Sequence, residues 1–159
     1  MFLYIFWSFF AVLILMALGL TYKIAQTDMR RRIIPDGYLF PLLIIGIIIT
    51  TFYPWPVQIE SGAVGMAFGY MLAAVVGLIF DKILTHKDPN AESPIGMGDI
   101  KLISVGGLWC GPTGLAIALV LACAFGATWA YRKKQKFIPF APFFVIGGFL
   151  SLITITFLI

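Results

Sequence analysis

Charged residues punctuate the chain rarely, leaving five uncharged stretches at residues 2–22, 37–59, 61–80, 102–131 and 137–159. Each is long enough to cross a bilayer as a helix, which takes about 20 residues. Residues 102–131 are too long for one crossing. As a single helix they would run about 45 Å, against a hydrocarbon core of about 30 Å. Near the first third of that stretch lies Cys110-Gly111-Pro112-Thr113-Gly114, where Gly and Pro together predict a turn. Splitting there gives spans at about 98–109 and 114–131. The expected architecture is all-α, a polytopic membrane protein with six transmembrane helices. The first stretch has no basic residue before it and runs past the length of a signal-peptide core, so it reads as a retained span.

Composition narrows the class. The 159 residues are 61% apolar and 11% charged, whereas soluble domains average about 45–50% apolar and about 25% charged. That excludes a disordered chain and argues against an ordinary water-soluble enzyme. The length implies one membrane domain over residues 1–159, with no room for a separate soluble module. Charge placement then orients the spans. With six crossings all 11 Lys and Arg, including Arg30–Arg32, Lys82, Lys101 and Arg132–Lys134, fall on one side. The other side receives both termini, and its only charged side chain is Glu60. By the positive-inside rule the basic side is the cytoplasm, of a cytoplasmic (inner) membrane, and both termini are extracytoplasmic. Five crossings would put the Arg132 cluster across the membrane from Arg30–Arg32. The net charge of +4 is accounted for by anionic lipid headgroups, without a nucleic-acid partner.

Cys110 and Cys123 support neither a disulfide framework nor a zinc site and read as small buried side chains. His86 stands alone in a polar segment and reads as a surface residue. Asp36, Asp81, Asp88 and Glu92 lie in or beside loops with basic neighbours and read as solvated charge. Asp36, after Pro35, is placed to cap the second helix, and Glu60 to stabilise the start of the third.

Asp28 and Asp99 differ from the other acids. Asp28 lies where the first span meets the cytoplasmic surface; Asp99 lies in Gly96-Met97-Gly98-Asp99-Ile100-Lys101 at the start of the fourth. Ionisable groups at such depth are costly and are functional candidates. Odd spans descend to the cytoplasm and even spans leave it, so both carboxylates share one level, and packing of spans one and four would bring them together. A purely structural reading pairs Asp28 with Arg31 or Arg32 and makes Asp99 a helix cap. Gly96 and Gly98 allow close backbone approach and unusual torsions around Asp99. Lys101 either holds the Asp99 anion or faces lipid phosphates.

These segments resemble the type IV prepilin peptidases, a family of membrane aspartyl proteases. Gly96-Met97-Gly98-Asp99-Ile100-Lys101 is similar to their GxGD signature. Asp28-Met29-Arg30-Arg31-Arg32-Ile33-Ile34-Pro35-Asp36 is similar to their first-aspartate segment. Ile138-Pro139-Phe140-Ala141-Pro142-Phe143 resembles a Pro-Phe-Gly-Pro segment before the last helix, with Ala141 in place of Gly; that substitution is expected to touch neither acid. The resemblance implies six helices and catalytic Asp28 and Asp99; Gly96, Gly98 and Lys101 are expected in support, with no cofactor or metal. It also implies cleavage of a short cytoplasmic leader from a prepilin or pseudopilin. Large members carry a methyltransferase portion with paired CxxC motifs, which this sequence lacks, so it resembles a short, peptidase-only form.

Two carboxylates hydrolyse a peptide by division of labour, one ionised to activate water and one protonated to polarise the carbonyl. Helix ends assign Asp99 as base and Asp28 as acid, although Arg30–Arg32 oppose the second assignment and such a pair titrates as a unit. Presenilin-like proteases share GxGD but not the other motifs, and a rhomboid-like serine protease would need a His within the spans. The rival from another class is a small transporter with a carboxylate proton relay, which requires polar groups along a path across the bilayer.

Overall fold

A computed structural model describes residues 2–87, 95–134 and 138–158, so Asp88 and Glu92 lie outside the described residues. Five helices follow one another: α1 (Phe2–Arg31), α2 (Asp36–Phe52), α3 (Ile59–Lys87), α4 (Met97–Lys133) and α5 (Phe140–Leu158). No strand occurs among the described residues. Four of them, all but the shorter α2, are long and apolar enough to cross a membrane. Large apolar side chains such as Leu3, Leu15, Leu78 and Ile153 point outward, an outer surface that water would not tolerate and lipid does.

The helices outrun the uncharged stretches. α1 continues to Arg31, so Asp28 belongs to its last turn, and α3 continues to Lys87, which places Asp81 and His86 on a helix instead of in a loop. His86 is exposed, as expected. Prolines and two left-handed residues, Arg32 and Lys134, set several of the ends. Arg32 closes α1 with φ 54°, a left-handed stop of the kind usually filled by Gly. Tyr53 is extended after α2, because Pro54 disfavours helical torsions in the residue before it.

The expected six helices are five. The segment around Gly111 is not a separate connection, because α4 is one element interrupted at Gly111 alone, with φ 66° and ψ 178°. That conformation suits a residue without a Cβ, and Pro112 after it lacks the N–H that would continue the ladder. The chain nevertheless folds back there. A Cβ on Gly69 would lie 3.0 Å from the Ile103 carbonyl oxygen and 2.8 Å from Leu115 Cδ2; a straight helix would hold Ile103 and Leu115 about 18 Å apart. Beside the fold-back, Trp55 Nε1–H donates to the Trp109 carbonyl at 3.0 Å. Trp109 Nε1–H in turn donates to the Leu42 carbonyl at 3.3 Å, which ties the bend to α2.

α4 is the hub, packed against α2, α3 and α5, while α1 packs on α2 and α5. The expected direct packing of the first and fourth spans is therefore not seen among the described residues. α1 and α4 face one another across an apolar cavity of about 120 Å³, lined by Ala17, Thr21, Leu102, Gly106, Phe144 and Gly148 among others. Cys110 is buried, but Cys123 is exposed, contrary to expectation. It lies on a face of α4 with no helix over it, and such a face is apolar in a bilayer whether or not protein covers it.

Candidate active site

Three helix ends meet at one end of the bundle. The last turn of α1 brings Asp28, the first turn of α4 brings Asp99, and the start of α5 brings Pro139 and Phe140. All four line one cavity of about 280 Å³, together with Arg32, Ile34, Gly96 and Gly98. Arg30–Arg32, Lys101 and Arg132–Lys134 sit at the helix ends of this same end of the bundle.

Asp28 is only 5% exposed, and its Oδ2 accepts the Ala141 N–H at 2.8 Å. That N–H is one of the unpaired donors at the start of α5, which carry the positive end of the helix dipole. Two expectations change as a result. Asp28 is not simply an anchor for Arg31 or Arg32, although Arg32 lines the same cavity. Ala141 does touch an acid, through its backbone, and a backbone donor serves equally well from Ala or Gly. The helix-end argument that made Asp28 the acid and Asp99 the base also loses its force, since Asp28 sits at the negative end of α1 and the positive end of α5 together.

Asp99 is the third residue of α4, and its Oδ2 accepts the Gly96 N–H at 3.2 Å. This is the reach-back half of a capping box, so the structural reading of Asp99 as a cap holds in part. One carboxylate oxygen is engaged there, and the side chain still lines the cavity. The expected unusual torsions are not found: Gly96 is ordinarily extended at φ −73°, ψ 152°, and among the described glycines only Gly111 has positive φ. Gly98 serves close approach instead. A Cβ there would stand 3.0 Å from Ile34 Cβ, so the first turn of α4 lies tight on the link between α1 and α2.

Lys101 does not hold Asp99. Its Nζ pairs with Asp36, 2.9 Å from Oδ1 and 2.7 Å from Oδ2. Asp36 is correspondingly a paired first-turn residue of α2, still half-exposed but not in a loop, and the N-cap is Pro35 without a side-chain cap bond. Sequence reasoning had both residues in view but not their partnership. Glu60 occupies the first turn of α3 as expected. Among the described residues no three His, Cys, Asp or Glu side chains gather as a metal site.

The sequence profile of the type IV leader peptidase family matches residues 7–131. The chain is similar to proteins named prepilin leader peptidase/N-methyltransferase. It is 29% identical to that of Xanthomonas campestris pv. campestris over 76% of this chain and 42% of the relative. It is 29% identical to that of Stutzerimonas stutzeri over 81% and 45%, and 31% identical to that of Dichelobacter nodosus over 78% and 42%. The chain thus spans less than half the length of these curated relatives. No solved structure matches it.

Proposed function

The chain belongs to the type IV leader peptidase family, and from that premise we propose that it is a membrane aspartyl endopeptidase that removes the short leader of a prepilin or pseudopilin. The observation that carries this reading is the single cavity shared by Asp28 and Asp99 at one end of the bundle. In the mechanism the two carboxylates hold one proton between them, as like charges at short range cannot both ionise freely. The ionised member takes a proton from water, whose oxygen attacks the scissile carbonyl carbon. The protonated member donates to the carbonyl oxygen. The tetrahedral adduct then collapses, the C–N bond breaks, the leaving nitrogen takes the proton that the first carboxylate drew from water, and the re-formed carboxyl returns its proton to the second. The roles belong to the pair as a unit. The Ala141 and Gly96 N–H groups each fix one oxygen of one acid, which keeps the other oxygen directed to substrate and water.

We read the two arms of α4 as separate crossings, giving six in all with both termini on the face opposite the acids. The clustering of Arg30–Arg32, Lys101 and Arg132–Lys134 at the acids' end supports a cytoplasmic site in an inner membrane. A prepilin substrate joins a polar leader to an apolar helix, and a site at this depth meets the bond at their junction. The apolar cavity between α1, α4 and α5 is where side chains of that helix would enter, since Phe140 in the acid cavity stacks on Phe144 in the apolar one, ring centres 5.2 Å apart. Gly148 lines this cavity, and a Cβ on it would meet only Cys110 Sγ at 3.9 Å, so the first carbon of a larger side chain enters the space without a clash. Gly148→Leu is expected to raise KM for a membrane-inserted prepilin about tenfold, equivalent to about 1.4 kcal/mol, with the melting temperature unchanged. An unchanged KM would remove this placement.

The transporter reading is disfavoured by that same cavity, whose walls are aliphatic and aromatic apart from Thr21 and Cys110. Incubating the purified protein in nanodiscs with a panel of candidate prepilins, with mass spectrometry of the products, tests the proposal. Leader removal that requires both acids is expected. Ion flux in liposomes with no cleavage of any substrate would overturn it.

A further inference from the structure

Asp28 and Asp99 belong to helices that do not pack on each other: α1 is held by α2 and α5, and α4 by α2, α3 and α5. Their separation must therefore be set through intermediaries. One is α5, through the Ala141 N–H. The other is the short link from α1 to α2, which leaves the last turn of α1 at Arg32, lines the acid cavity with Ile33 and Ile34, and enters α2 at Asp36. Two contacts fasten this link to the first turns of α4. Buried Ile34 lies against Gly98, and the Asp36 carboxylate holds Lys101 with both oxygens. The two contacts bracket Asp99 in sequence, one immediately before it and one two residues after.

We propose that the Asp36–Lys101 ion pair is a positioning device, which locks the α1–α2 link to the start of α4 and so sets the separation of the two carboxylates. This deepens the peptidase reading and rests on it for its catalytic consequence. The pair is half-exposed, with side chains 37% and 48% accessible for Lys101 and Asp36. An exposed pair adds little to stability, so a merely structural role predicts near-silent variants. Placement is different, because misplacing a catalytic group by about 1 Å costs about a hundredfold in rate.

The test uses the full chain in nanodiscs, with spin labels on Met29→Cys and Met97→Cys in a Cys110→Ala, Cys123→Ala background. Both methionines are exposed, 51% and 62%, and flank the acids without lining their cavity. Asp36→Asn and Lys101→Met are each expected to broaden or lengthen the label distance. In the unlabelled protein they should lower kcat about tenfold to a hundredfold, with KM within about twofold. Asp36→Glu and Lys101→Arg, which keep the charges, should restore both readouts substantially. Unchanged distance distributions in Asp36→Asn and Lys101→Met would overturn the proposal, as would a loss of kcat without any change in distance. Should the parent protein cleave no prepilin, the peptidase reading falls, while the label distances still decide whether the ion pair sets the geometry.

Discussion

Asp99→Asn is expected to abolish leader removal, lowering kcat by between about a hundredfold and ten-thousandfold, the range of a general acid–base group. The protein should stay inserted and folded. Asn is nearly isosteric with Asp, and its Oδ1 still accepts the Gly96 N–H that Asp99 accepts at 3.2 Å, so the reach-back cap on α4 survives. What disappears is the capacity to exchange a proton with water or substrate. The substitution therefore separates two roles that share one side chain. A cap alone predicts that Asn is nearly silent, whereas an acid–base group predicts loss of turnover at constant melting temperature. Asp28→Asn follows the same logic, because its amide oxygen still accepts from the Ala141 N–H that holds Asp28 at 2.8 Å. Cleavage of a membrane-inserted prepilin, followed by mass spectrometry beside thermal unfolding of each variant, gives both readouts. Full processing by Asp99→Asn would end the two-aspartate mechanism.

The acids were legible in the sequence because charge is scarce in this chain, and a carboxylate beside an apolar span is conspicuous by its cost. The break at Gly111 was legible for a different reason: a Gly-Pro pair inside a stretch too long for one crossing. Helix ends were less legible, since charged residues mark where a span leaves lipid but not where a helix stops. α1 and α3 continue through such residues to Arg31 and Lys87. Nor did any pattern say which face of each helix meets a neighbour. Helices apolar all round carry no amphipathic stripe, so the outward Cys123 and the gap between α1 and α4 left no trace in the pattern. Least legible were contacts made by backbone groups. The Ala141 donor to Asp28 spans 113 residues, and nothing in an N–H depends on which side chain follows it. The Lys101 partnership was hidden among several acids of equal plausibility and was settled by the approach of α2 to α4.

Gly107→Ala is expected to destabilise the protein by about 1–3 kcal/mol, the cost of overpacking a close-packed interior, although secondary structure alone predicts the opposite sign. Inside a helix, Ala is favoured over Gly by about 1 kcal/mol, and Gly107 lies within α4 with no positive φ to preserve. The crossing decides. A Cβ on Gly107 would collide with the Gly65 carbonyl, and a Cβ on Gly65 with the Gly107 carbonyl, so backbone meets backbone and no flexible side chain can give way. Small residues at such contacts let helices approach in lipid, where no hydrophobic force drives them together. Gly65→Ala should act in the same direction from the other side. The double variant should cost less than the sum of the two singles, since the first separation of the helices already makes room for the second methyl. Gly19→Ala supplies the control: nothing lies within 4 Å of its Cβ position, and there propensity should prevail with a neutral or slightly raised melting temperature. Because the arm of α4 that crosses α3 at Gly107 also carries Asp99 in its first turn, parting that crossing should reduce cleavage together with stability. Gly107→Ala with an unchanged melting temperature and full turnover would mean that α3 and α4 are not in backbone contact.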